Sequence, residues 1–289
     1  MILLPPDKPG RKPARGKRPK ARPKHLGRLN DPPRLRARIQ KEMRDATNAL
    51  QVAASRIAMD PTLSPAGKSD ALNRLMADAQ RTFDGLGDRL AATMVREVDA
   101  FGRRHYSEQI RRAMGADVTA LFESPAMQEA LETAAFSASS LIKTIPREQI
   151  GRVTQAVIAS MKQQPMPGGG SLVDEIHRIG GISRRRAVFI ARDQYHKVKS
   201  AVDEAQQREI GGTKYVWRNS QDQRVVGNPS GLYPRGNHKH GDHWSREGKI
   251  FRWDKPPHDG HPGERAPGCR CYAEAVIDID AVLASAGHV

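Results

Sequence analysis

The chain has 289 residues and a mass of 31.9 kDa, with 38% hydrophobic, 28% charged and only 5% aromatic residues, which suits an aliphatic, helical core in one or two domains. No apolar run approaches the roughly 18 residues that a membrane-spanning helix needs, and Met1-Ile2-Leu3-Leu4-Pro5-Pro6 is broken by proline too early for a secretory leader, so the chain reads as soluble and cytosolic. The formal net charge is +16, and two cysteines, Cys269 and Cys271, exclude a disulfide framework by count.

The charge is unevenly placed. Residues 1–38 hold 13 Lys and Arg against Asp7 and Asp31, and eight of the 20 prolines fall in the first 33 positions. Such a segment buries too little apolar surface to fold alone, so residues 1–33 are expected to form an extended basic arm. Its cations, Lys8, Arg11, Lys12, Arg15, Lys17, Arg18, Lys20, Arg22, Lys24 and Arg28, suit a polyanion. They predict contact with DNA or RNA without sequence preference, against the plainer reading of a solubilising tail.

Residues 34–165 read as a helical region. Leu35, Ile39, Met43, Ala46, Leu50, Ala53 and Ile57 recur at alternating steps of three and four, the stripe of an amphipathic helix. Asp60-Pro61 and Pro65-Ala66-Gly67 break it. A second stripe runs from Leu72 through Phe83, Leu90 and Val98 toward Ala113, with Gly85, Gly87 and Gly102 favouring a bend or a division. Ser124-Pro125 carries the capping serine and first-turn proline of a third helix. That helix should continue through Leu131, Phe136 and Leu141 to a stop at Pro146. A fourth is expected from Arg147 through Val153 and Val157 to Met161.

Pro165-Met166-Pro167-Gly168-Gly169-Gly170 reads as an interior linker, placed at 166–170. Ser171 and Asp174 predict a capping box and a short helix ending at Gly180-Gly181. Ser183 caps the next helix, whose stripe of Ala187, Ile190, Tyr195, Val198 and Val202 ends at Gly211-Gly212. From Thr213 the composition changes: residues 211–272 contain all three tryptophans, both cysteines and five of the ten histidines. Tyr215-Val216-Trp217, Lys249–Trp253 and Tyr272–Ile277 read as short strands. The fold class is α+β: a basic extended arm, a mainly helical region, then a small module of mixed helix and strand at 171–280, with 281–289 as a tail.

An ordered series of residues carries a resemblance. It runs from Ser183-Arg184-Arg185-Arg186-Ala187 and Ile190-Ala191-Arg192-Asp193-Gln194 to Gly212–Arg218 and Asp222-Gln223-Arg224-Val225. It continues with His243, Gly248–Asp254, Pro256-Pro257, Pro262-Gly263-Glu264 and Cys269-Arg270-Cys271. Over roughly 140–280 the chain resembles the phage Mu F-like head morphogenesis domain of minor capsid proteins. The resemblance implies a non-enzymatic minor head protein of a tailed phage, inside the virion head and in the host cytoplasm during assembly. It implies portal, major capsid or scaffold protein as partners, and a role in assembly, DNA packaging or ejection. Self-association is a further expectation. The chain departs from the family pattern at Val226–Asp242, which separates the Asp-x-Arg-Val stretch from its histidine and reads as a surface loop.

Cys269 and Cys271, with His243 and either His258 or His261, supply enough nitrogen and sulfur donors for a structural zinc. His261 is the preferred fourth ligand. The objection is geometric, because residues one apart on a strand face opposite sides. The bland alternative is buried thiols and solvated histidines. A sharper alternative is a metal-dependent nuclease using Asp222, His238, His240 or His243, but no second carboxylate lies at a ligand spacing. Arg192 and Asp193 are expected to brace the module on its helix, Asp222 and Arg224 to fix a turn, and Trp217 and Trp253 to fill its core.

Overall fold

The computed structural model describes residues 24–25, 32, 34–236 and 239–277. Of the arm's cations, Lys8, Arg11, Lys12, Arg15, Lys17, Arg18, Lys20, Arg22 and Arg28 lie outside these residues, as does 281–289. The helices in chain order are α1 (Leu35–Met59), α2 (Pro65–Met114), α3 (Pro125–Ile142), α4 (Ile145–Met161) and α5 (Leu172–Glu209). The strands are β1 (Lys24–His25), β2 (Lys214–Arg218), β3 (Ile250–Arg252) and β4 (Tyr272–Ile277), in the order β1-β4-β2-β3 with every neighbouring pair antiparallel. None of the described helices is long and apolar enough to cross a membrane.

The apolar stripes pack as their spacing requires. Leu35, Ile39, Met43 and Leu50 of α1 meet Phe83, Leu90 and Met94 of α2 in one core. That core also takes Met127 and Ile142 of α3, Ile150 and Val153 of α4, and Ile176, Ile190, Tyr195 and Val202 of α5. Each aliphatic side chain so buried contributes about 1.5–3 kcal/mol. Phe136 is the exception on the third stripe: it is 76% exposed on α3. Pro146 also differs from its expected role, because it sits in the first turn of α4, where a missing N–H costs nothing.

Two expected breaks are absent, and the cause is packing. Helix α2 runs unbroken through Gly85, Gly87 and Gly102, and α5 runs unbroken through Gly180-Gly181. A Cβ on Gly102 would fall 1.9 Å from the Gln206 Oε1, while Gln206 Nε2 donates to the Asp99 carbonyl at 2.9 Å. A Cβ on Gly180 would come within 2.7 Å of the Gln51 side chain on α1. These glycines allow helices to approach closely rather than ending them. The capping box at Ser171 forms, with Asp174 N–H donating to Ser171 Oγ at 3.2 Å and Ser171 N–H to Asp174 Oδ2 at 2.9 Å.

Helix α5 touches all four other helices and also β4. Residues 166–170 therefore connect two helices of one core, and α5 belongs to both the bundle and the sheet module. Tyr106 and Ile110 of α2 pack with Phe122, Ile210, Ala275 and Ile277 against one end of the sheet. Beside it, on the same face of the sheet because Tyr215 pairs with Ala275 and Trp217 with Ala273, Tyr215, Trp217, Trp253, Cys271 and Ala273 form a small aromatic core. The backbone of Lys24 and His25 adds an edge strand against Ile277 and Val276.

Candidate functional site

The sheet module brings distant residues together because α5 grips its loops along one face. Asp193 Oδ1 accepts the Gly268 N–H at 2.6 Å, Ser200 Oγ donates to the Pro262 carbonyl at 2.5 Å, and Gln207 Nε2 donates to the Ala273 carbonyl at 3.2 Å. The three residues are seven apart, two turns of helix, so they lie on one side of α5. Arg208 adds a bond from Nη2 to the Trp253 carbonyl at 2.8 Å. Lys197 Nζ stands 3.0 Å from Asp193 Oδ2, while Arg192 lies over the Phe189 ring.

The segment between β2 and β3 is pinned to β2 at its far end. Trp217 N–H donates to the Lys249 carbonyl at 2.8 Å, and Gly248 N–H returns the bond to the Trp217 carbonyl at 2.9 Å. Earlier in this segment, Asp222 Oδ1 accepts the Arg224 N–H at 2.8 Å, and its carboxylate pairs with Arg270. Arg224 itself is exposed. Further on, His243 drops into the module with its ring edge-on to buried Trp217, centroids 5.1 Å apart.

Around His243 the polar groups are ordered. Its Nε2 lies 3.0 Å from Asp259 Oδ2. Asp259 is held from the other side by Arg246, with Nη2 2.7 Å from Oδ1 and Nη1 3.0 Å from Oδ2. Arg246 lies over the Trp217 ring, 4.8 Å from its centroid. Burial raises the Asp259 carboxyl, but Arg246 and His243 outweigh it and hold the group below its usual range. A carboxylate only accepts, so the Nε2 proton belongs to the Asp259 bond. His243 Nδ1 faces two sulfurs, Cys271 Sγ at 3.4 Å and Cys269 Sγ at 3.5 Å, and in the neutral ring it offers them a lone pair.

These donors share one spot because both cysteines precede β4. A turn at Gly268, with φ 69° and a Cys269 N–H bond to the Ala266 carbonyl, folds the Cys-Arg-Cys segment before the strand begins. The opposite-face objection applies to a strand and not to this turn. The hydrogen bond to Cys271 and the contact with His243 hold the Cys269 thiol well below its ordinary value. For His243 burial acts downward, but Cys269 and Asp259 prevail and raise it. Cys271 is buried, whereas Cys269 is half-buried.

Among the described residues, His243, Cys269 and Cys271 are the group of donor atoms close enough to hold one ion. His261 is not part of it: its Nδ1 meets the Tyr215 hydroxyl at 3.1 Å, and its ring packs on Trp253. His258 is exposed and His240 is half-buried, and neither joins the group; His238 lies outside the described residues. Trp253 is buried against Tyr215, centroids 4.3 Å apart. Arg246 and Asp259 were not singled out from sequence, because an Asp before Gly260 in a Pro-rich turn reads as a local turn residue.

Residues 151–274, which contain every member of this cluster, match the model of the family described as Phage Mu protein F like protein. An uncharacterised protein of Haemophilus influenzae strain Rd is 30% identical over 193 residues, covering 66% of this chain and 39% of that relative. The chain thus spans well under half the length of that relative. No solved structure matches the chain.

Proposed function

Starting from a chain whose residues 151–274 carry a domain of the Phage Mu protein F like family, we propose that it is a minor head morphogenesis protein of a tailed phage or prophage. The observation that carries this reading is the family match itself. The chain acts without catalysis, as an adaptor at the portal vertex. It serves head assembly, DNA packaging or ejection from inside the virion head, after a period in the host cytoplasm.

The architecture suits an adaptor. A bundle with one shared core presents the sheet module through α5, and Phe136 offers an exposed apolar anchor on α3 for portal, major capsid or scaffold protein or for a second copy of the chain. The basic arm, with its 13 Lys and Arg in the first 38 residues, faces the interior and holds DNA, or the acidic surface of a scaffold. A nuclease role has little support: Asp222 is committed to Arg270, and His243 to Asp259 and the two sulfurs.

A nonsense codon early in the reading frame tests the proposal. Induced cells should then give defective or non-infectious heads, with infectious titre restored when the chain is supplied from a plasmid. An unchanged titre without the chain removes the head role.

A further inference from the structure

The donor spacings of the Cys269–Cys271–His243 cluster match those of a tetrahedral metal site. A tetrahedral zinc has Zn–S near 2.3 Å and Zn–N near 2.0–2.1 Å, which sets an N···S edge of about 3.5 Å. The Nδ1···Sγ separations are 3.4 and 3.5 Å, and all three donor atoms lie within 4.8 Å of one another. A ligating histidine usually gives its other ring N–H to a carboxylate, which fixes tautomer and ring orientation. Asp259 does this for His243 at 3.0 Å, and Arg246 fixes Asp259 in turn. Two thiolates and one imidazole make a soft donor set that suits zinc.

We propose that His243 Nδ1, Cys269 Sγ and Cys271 Sγ bind a zinc ion that staples the sheet module, with Asp259 orienting His243 from behind. The fourth corner falls to a solvent oxygen, because no further His, Cys, Asp or Glu atom among the described residues joins the group. The ion ties the segment between β2 and β3 to the turn before β4, against Trp217. It replaces the aliphatic core that this loop-rich module lacks. Asp193 is a positioning residue for the site, since its bond to the Gly268 N–H sets the turn that carries both cysteines.

A cysteine nucleophile with a His–Asp relay is the competing chemistry, and the cluster does not favour it. A nucleophile needs one sulfur singled out by its base. Here His243 Nδ1 is shared between Cys271 Sγ at 3.4 Å and Cys269 Sγ at 3.5 Å, which leaves the half-buried Cys269 as the one sulfur open to such a role and makes its reactivity part of the test.

The test is metal content and spectrum of the full chain, purified without a polyhistidine tag from zinc-supplemented cells and dialysed. The expected result is about one zinc per chain, falling at least tenfold in Cys269→Ser and Cys271→Ser. Because those variants can misfold, chelated wild-type protein reloaded with Co²⁺ gives an independent reading: thiolate-to-cobalt charge transfer and the strong visible bands of a tetrahedral site. Asp259→Asn, with all three ligands intact, should weaken zinc binding by about 10–100-fold. The proposal is overturned if folded wild type retains no zinc and shows no cobalt charge transfer. It is equally overturned by a Cys269–Cys271 disulfide, or by acylation of Cys269 alone with ester turnover. None of these outcomes bears on the head role.

Discussion

Asp193 Oδ1 accepts the backbone N–H of Gly268 at 2.6 Å, across 75 residues of sequence. A buried carboxylate on the central helix thus fixes the turn that places Cys269 and Cys271. Replacing it with Ala leaves a backbone donor unsatisfied and strips Lys197 of its partner. Asp193→Ala should cost about 1–3 kcal/mol in urea unfolding. It should also speed modification of Cys269 by a thiol reagent. Unchanged stability and unchanged thiol reactivity would count against the role given to Asp193.

Two glycines of α2 should respond in opposite directions. Gly85 has nothing within 4 Å of an added Cβ, so Gly85→Ala should stabilise by about 0.5–1 kcal/mol through lower chain entropy. Gly102 is filled by the Gln206 side chain, so Gly102→Ala should destabilise by about 1–3 kcal/mol through overpacking and displacement of the bond to Asp99. Thermal unfolding of the two variants beside wild type reads the signs directly. Equal shifts would mean that α2 and α5 do not approach as closely as described.

Burial raises the pKa of Asp203, which faces Tyr106 and His105 of α2 and Lys199 and Gln207 of its own helix. Its folded pKa lies above the unfolded value near 3.8. As pH rises through this interval the unfolded chain releases a proton that the folded chain retains, so the contribution to stability falls. Asp203→Asn removes this titration and keeps an acceptor for the Tyr106 hydroxyl. The stability of wild type relative to Asp203→Asn should therefore decline as pH rises from about 4 upward, measured by urea unfolding across pH. A flat difference contradicts the buried carboxylate.

Most helices were legible from residues because their apolar stripes face a real core: α1 runs 35–59 where Leu35 to Ile57 predicts it, and Ser124 caps α3 as expected, accepting the Met127 N–H at 3.0 Å. The glycine pairs misled. A breaker and a close-packing position look alike until the neighbouring helix is seen, and Gln51 and Gln206 lie 129 and 104 positions from the glycines they meet. At the site, the donor residues Cys269, Cys271 and His243, which the fold brings together, were readable from composition and family pattern. Asp259 was not, because its function is set by contact with His243 and Arg246. The grip of α5 on the sheet did leave a signal, the seven-residue spacing of Asp193, Ser200 and Gln207. A search for apolar stripes passes over it.

The basic arm carries a separate prediction. If it makes about six to ten phosphate contacts, DNA affinity should fall about 10³–10⁵-fold between 50 and 200 mM salt. Deleting residues 1–33 should remove most of that salt-sensitive binding, as read by fluorescence anisotropy on duplexes of unrelated sequence. Intact, salt-sensitive affinity after the deletion would reassign the contact to the folded body.

The central claim is that this chain is built into phage heads. The most direct measurement fractionates DNA-free proheads and filled heads from the producing phage and quantifies the chain against the major capsid protein in each. The account predicts a substoichiometric amount in both fractions, present before DNA enters. Absence from both would contradict it.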